Sequence, residues 1–163
     1  MPKIILASKS KVRLDILNKN NIICSAKPSN VDEDEIKISM LKDGASPENI
    51  SKSLAEIKAN KISQNNLDKI VIGADSVIDL ENEIISKPKN RPEALEILKK
   101  LNGKTHYLIS SVCISKNGSM VWHYSDRAEL KMKTMTEDNL KFYLSKIEDE
   151  KLYAYNVYQI EGE

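Results

Sequence analysis

Apolar residues in this 163-residue chain fall into short continuous runs separated by stripes with three- and four-residue spacing. That mixture predicts strands interleaved with amphipathic helices. Lys3–Ala7 is a short, Ile-rich run and reads as a buried strand. Ser10 stands where a helix N-cap belongs, with Val12, Ile16 and Leu17 on the inner face of the helix that follows. Ile22–Ala26 is a second strand candidate, and the acidic stretch Val31–Glu35 leads into a weakly periodic segment ending around Gly44. Pro47 opens a better helix, with Ile50, Leu54 and Ile57 on one stripe. Lys69–Ala74, apolar almost throughout, is the clearest central strand and is bounded by Asp75.

The later part of the chain is richer in hairpin signals. Val77–Ile85 predicts a short hairpin turning at Glu81-Asn82. Pro92 opens a helix carrying Ala94, Leu95, Leu98 and Leu101, and Gly103 sits where a helix stop belongs. Thr105–Ser115 and Met120–Ser125 flank the turn Lys116-Asn117-Gly118, and Ala128–Lys133 alternates like an edge strand. Thr136 caps a helix with Leu140, Tyr143, Leu144 and Ile147 at helical spacing, and Tyr153–Ile160 reads as a last strand. Early alternation followed by hairpins predicts an α/β protein with a mixed central β-sheet flanked by helices. No repeat, low-complexity tract or linker interrupts the chain, so residues 1–163 read as one domain.

Composition narrows the function classes. With 40% hydrophobic and 30% charged residues, neither disorder nor a membrane protein is expected. The first apolar run, Ile4–Ala7, is too short for a signal or spanning segment. Lys plus Arg number 25 against 24 Asp plus Glu, a net charge of +1 that argues against a polyanion-coating protein but leaves a local basic pocket open. Cys24 and Cys113 make neither a disulfide framework nor a metal-ligand spacing, which suits a cytoplasmic protein. Only five glycines are present, too few for a glycine-rich dinucleotide fold.

Four places put polar groups where packing alone would not. Ser8-Lys9-Ser10-Lys11-Val12-Arg13 lies at a predicted strand-to-helix junction, where free N–H groups, hydroxyls and a guanidinium would receive a phosphate. A serine cap on a solvated basic helix would give the same pattern. Asp32-Glu33-Asp34-Glu35 offers hard carboxylates for Mg²⁺, although acids at a helix start also compensate the dipole. Lys58 falls on the apolar stripe with Leu54 and Ile50, so it must snorkel outward or be paired. Asp75 follows the central strand at its carboxyl end, where α/β folds place ligands, and could act as a base or metal ligand or simply cap a turn. His106 and His123 read as strand residues with local hydrogen bonds, and Trp122 with Tyr153, Tyr155 and Tyr158 as core or interface.

In order, these pieces resemble the Maf family of nucleoside triphosphate pyrophosphatases over essentially the whole chain. Ala7–Arg13 is similar to the family's Ser-x-Ser-x-x-Arg opening, Val31-Asp32-Glu33 to its acidic motif, and Leu54–Ala59 to Leu-Ala-x-x-Lys-Ala. Ile72–Val77 resembles Gly-Ala-Asp-Thr-Val. Lys87-Pro88, Leu101–His106 and Tyr158–Gly162 fit the Lys-Pro, Leu-x-Gly-x-Thr-His and Tyr-x-Ile-Gln-Gly elements, with Glu161 at the Gln position. Lys11-Val12 stands where many members have Pro-Arg.

The resemblance implies the Maf and inosine triphosphatase-like architecture and hydrolysis of a triphosphate to monophosphate and pyrophosphate with Mg²⁺ or Mn²⁺. It assigns catalysis to Asp75, the metal to Glu33 and Asp75, and phosphate binding to Ser8, Ser10, Arg13, Lys58 and Lys87. Substrate branches of the family differ at the positions of Val12, Ser76 and Glu161. Ser76 resembles the Thr of the dTTP/UTP branch, whereas Glu161 resembles the 7-methyl-GTP branch. The resemblance also implies house-cleaning of non-standard nucleotides and a homodimer, with no nucleic-acid or membrane partner. Family sequences continue past the position of Glu163, so a C-terminally short chain is expected. The competing expectation is a non-catalytic regulator of cell division and septum formation.

Overall fold

The computed structural model describes residues 3–158. Its first elements are β1 (Ile4–Leu6), α1 (Lys11–Lys19), β2 (Ser25–Ala26), α2 (Glu33–Lys42), α3 (Pro47–Gln64) and β3 (Ile70–Leu80). Then follow β4 (Glu83–Ile85), α4 (Arg91–Leu101), β5 (Thr105–Lys116), β6 (Ser119–Lys131), α5 (Glu137–Ser145) and α6 (Asp149–Tyr155). The sheet is mixed, as expected: its order is β2-β1-β3-β5-β6, with β4 paired to β3. β1 runs parallel to both β2 and β3, and Ile5 lies opposite Val71, whereas β3 and β4 are antiparallel. No helix among the described residues is long and apolar enough to cross a membrane.

The chain divides into two compact units. The first runs to Ser76 and takes in Ile109–Arg127; the second comprises Val77–Leu108 and the chain from Ala128 onward. In the first, Ile5, Ala7, Ala55, Ala59, Val71 and Cys113 form a core of mostly small side chains. In the second, Leu98 and Leu101 of α4 pack with Leu140 and Leu144 of α5 and with Leu152 and Val157. Both predicted turns are present, and each uses a left-handed residue pair: Glu81 (φ 54°) with Asn82 (φ 68°), and Asn117 (φ 52°) with Gly118 (φ 85°). Such pairs match the twist of flanking antiparallel strands.

Several elements depart from the sequence expectation. β3 does not stop at Asp75 but runs on to Leu80, because that carboxylate is buried against a lysine and leaves the strand backbone intact. Of Ile22–Ala26 only Ser25–Ala26 is strand, and Ile23 is 76% exposed. α1 buries no residue, so Val12, Ile16 and Leu17 are not a core face. On α3 the buried stripe is rotated away from Ile57 toward Ser51, Ala55, Lys58 and Ala59. Ala128–Lys131 continues β6 instead of forming a separate edge strand. Tyr153–Tyr155 are helical in α6, Tyr158 follows outside any element, and Gln159-Ile160 lie outside the described residues. Trp122 is half exposed and stacks on Tyr124 instead of entering a core.

His106 makes a long-range bond in place of the expected local one: its Nε2 is 2.9 Å from Tyr158 Oη. Its Nδ1 is buried without a hydrogen-bond partner among the described residues. Burial holds the imidazole below its ordinary 6.5, so the folded state favours the neutral ring. Below that ordinary value the unfolded chain takes up the proton more readily, and stability from this group is lost as pH falls. The His106 contribution to unfolding free energy is therefore expected to fall between pH 7 and pH 5, with a slope of at most about 1.4 kcal/mol per pH unit for one proton. His106→Gln should flatten that component in calorimetry at the same pH values. An unchanged slope would rule His106 out as its source.

Candidate active site

The first unit gathers most of the singled-out residues around the middle of β3. Gly73 and Asp75 alternate onto the same face of that strand, the face that meets α3. A Cβ built on Gly73 would lie 2.2 Å from the Ala55 carbonyl oxygen and 2.8 Å from the Ala59 nitrogen. Only a glycine allows the helix backbone this close. The close approach carries the rest of the helix face onto the strand. Ser51 Oγ donates to the Asp75 carbonyl at 3.1 Å, and Lys58 Nζ donates to Asp75 Oδ1 at 2.8 Å.

Lys58 is thus paired, not snorkelled. Its side chain is 7% exposed, and its Nζ also stands 2.9 Å from Glu33 Oε1 at the start of α2. Asp32 caps that helix by accepting from the Glu35 N–H, which aims the next residue, Glu33, back toward α3. Asp75 Oδ2 is buried with no hydrogen-bond partner among the described residues. Burial raises the Asp75 carboxyl above its ordinary 3.8; Lys58 opposes this by charge and hydrogen bond, Glu33 adds to it, and Lys37 opposes it. Desolvation is the larger influence, so this carboxylate is a stronger base than an exposed one.

The β1–α1 junction abuts the same stretch of β3. Parallel pairing of Leu6 with Ile72 continues through the Ala7 N–H, which donates to the Ile72 carbonyl at 2.8 Å, and delivers Ser8 beside Ala74. Arg13 Nη1 donates to the Ala74 carbonyl at 2.8 Å and to Ser8 Oγ at 3.3 Å. Ser8 Oγ also accepts from the Ser10 N–H, and Ser10 Oγ caps α1 by accepting from the Arg13 N–H. The Arg13 guanidinium therefore ties the Ser8 hydroxyl to the carbonyl just before Asp75, with Ser10 capping the same helix start.

Ser76 is exposed on β3, with its Oγ 2.9 Å from Ser110 Oγ. Val12 is half-buried in the first turn of α1. Lys87 is exposed in the segment between β4 and α4, in the second unit. Glu161 lies outside the described residues. Ser51 and Lys37 are the contributors that the sequence reading passed over. Ser51 could have been found as the polar residue seven positions before Lys58 on one helix face, and Lys37 as the cation four after Glu33. No cluster of three or more His, Cys, Asp or Glu residues is placed to hold a metal among the described residues. Glu33 and Asp75 alone, with the partnerless Oδ2, fit a divalent cation that keeps several of its ligands as water or phosphate oxygens.

Residues 3–163 match the family model described as Maf-like protein. A nucleoside triphosphate pyrophosphatase of Pelagibacter ubique (strain HTCC1062) is 66% identical over 161 residues, which are 99% of this chain and 83% of that protein. A 7-methyl-GTP pyrophosphatase of Rhizobium etli is 33% identical over 162 residues, covering 99% of this chain and 81% of its own length. Among solved structures, a HAM1 protein from Coxiella burnetii aligns with a TM-score of 0.47 at 17% identity, over 80% of this chain and 73% of that one.

Proposed function

The chain belongs to the Maf-like protein family, and we propose that it hydrolyses a nucleoside triphosphate to the monophosphate and pyrophosphate. The observation that carries this reading is the buried Lys58 ammonium held between Asp75 and Glu33, one strand residue away from the Arg13–Ser8 anchor on Ala74. A binding surface alone would not require a desolvated carboxylate with a raised pKa beside the Ser8–Ser10–Arg13 junction. The 66% identical relative carries the same activity in its name.

The roles follow from the chemistry. The free N–H groups of the first turn of α1, with Ser8 and Ser10, bind phosphate oxygens at the positive end of the helix dipole. Arg13 and Lys58 neutralise charge that develops as the α–β phosphoanhydride breaks. Asp75 takes the proton from the attacking water, and its burial makes it basic enough for that task. A divalent cation, Mg²⁺ or Mn²⁺, on Glu33 and Asp75 would supply further charge neutralisation on the phosphates. Ser76 and Val12, near the same anchor, are the candidates for sensing the base.

The test is pyrophosphate release with Mg²⁺ or Mn²⁺ across dTTP, UTP, CTP, their 5-methyl and pseudouridine analogues, GTP and 7-methyl-GTP. Equimolar monophosphate and pyrophosphate from at least one nucleotide is expected, abolished by EDTA. Preference for dTTP or UTP would follow the Ser76 signal, and preference for 7-methyl-GTP the Glu161 signal. No release from folded protein would transfer the reading to the regulatory alternative.

A further inference from the structure

Helix α2 turns one face inward. Glu33, Ile36, Lys37 and Met40 are half-buried at i, i+3, i+4 and i+7, while every other residue of the helix is exposed. α2 packs against α3, and Glu33 Oε1 reaches the Lys58 ammonium at 2.9 Å. Lys37 lies one turn beyond Glu33 on the same face, and helical side chains lean back toward the N-terminus. Its ammonium is therefore carried toward the Glu33–Lys58–Asp75 cluster. Lys37 is also among the groups whose charge acts on the Asp75 carboxyl, in the direction opposite to burial.

Glu33 and Asp75 outnumber the one ammonium, Lys58, that is paired with both of them. Lys58 and a divalent cation on the two carboxylates would still leave the charge of a triphosphate only partly neutralised. A second ammonium on the inward face of α2 is placed to meet what remains. We propose that Lys37 is a further phosphate-binding residue of this site, contacting the polyphosphate of the substrate and the pyrophosphate that leaves. This rests on the pyrophosphatase reading above and adds a residue to it.

The test compares wild type, Lys37→Gln and Lys37→Arg in steady-state hydrolysis of the best nucleotide of the panel. Inhibition by added pyrophosphate and calorimetric binding of inorganic pyrophosphate are measured alongside. Lys37→Gln is expected to raise KM about tenfold and to weaken pyrophosphate inhibition and binding by a similar factor, with kcat within about threefold. Lys37→Arg should keep all three within about threefold of wild type, because it keeps the charge. A merely structural pair with Glu33 would lower the melting temperature of the Gln variant without moving KM or pyrophosphate affinity, and that result overturns the proposal. Equal losses in the Arg and Gln variants overturn it too, since charge would not be the cause. If wild type hydrolyses nothing yet binds pyrophosphate, and Lys37→Gln weakens that binding, the hydrolysis reading falls and the phosphate role of Lys37 stands. Wild type that neither hydrolyses nor binds pyrophosphate sinks both.

Discussion

Asp75→Asn is expected to lower kcat for pyrophosphate release about 10³-fold while KM stays within about threefold, the pattern of a group needed for proton transfer and not for holding the substrate. The amide is nearly the same size as the carboxylate, so the buried space on β3 stays filled. Lys58 keeps Glu33 as its counter-ion at 2.9 Å, which limits the disturbance to the fold. What is lost is the basic, desolvated oxygen that nothing else in the cluster supplies, since Glu33 is 39% exposed against 5% for the Asp75 side chain. Steady-state kinetics with a thermal melt of the same preparation would check it. A variant that folds and keeps more than a tenth of wild-type turnover would remove Asp75 from the role of base.

Gly73→Val should destabilise the protein by about 4 kcal/mol or more, a large fraction of the marginal stability of a folded domain. The added Cβ would meet backbone atoms of α3, the Ala55 carbonyl oxygen at 2.2 Å and the Ala59 nitrogen at 2.8 Å, and no side-chain rotation relieves a clash with backbone. Even Gly73→Ala should cost about 3 kcal/mol, at the upper end of overpacking changes, because the first added atom already makes the clash. The smaller variant, if it folds, must displace α3 and so draw Lys58 away from Asp75. Its activity is expected to fall together with its urea midpoint. An alanine variant with wild-type midpoint and turnover would mean that the helix and strand stand farther apart than these distances allow.

Local pattern carried the elements whose information is local. The caps expected at Ser10 and Thr136 each accept a helix N–H as a short polar residue before a periodic segment would. The turns at Glu81-Asn82 and Asn117-Gly118 follow from residue types that tolerate left-handed backbone. Where the pattern misled, tertiary partners had overridden it. A charged residue after an apolar run reads as a strand end, yet Asp75 continues the strand because Lys58 compensates it. Tyr153–Tyr155 have side chains suited to a strand, but α6 forms because Leu152, at 0% exposure, joins a core that only long-range packing creates.

The candidate site divides along the same line. Residue types and their spacing singled out Ser8, Arg13, Glu33, Lys58 and Asp75 but left a helix cap, dipole compensation, a snorkelling lysine or a turn cap open, and the resemblance to one family implied their roles. Spacing along the chain cannot say whether a lysine on an apolar stripe reaches water or a partner, because both satisfy the helical period. The tertiary structure decided it by seating the backbone of α3 directly on Gly73 of β3, so that Lys58 meets an aspartate 17 residues away in sequence. It likewise brought Arg13 to the Ala74 carbonyl, 61 residues away, and turned Lys37 inward beside Glu33. These are consequences of helix-on-sheet distance and of which face of α2 is covered, and both are set by the whole chain packing at once.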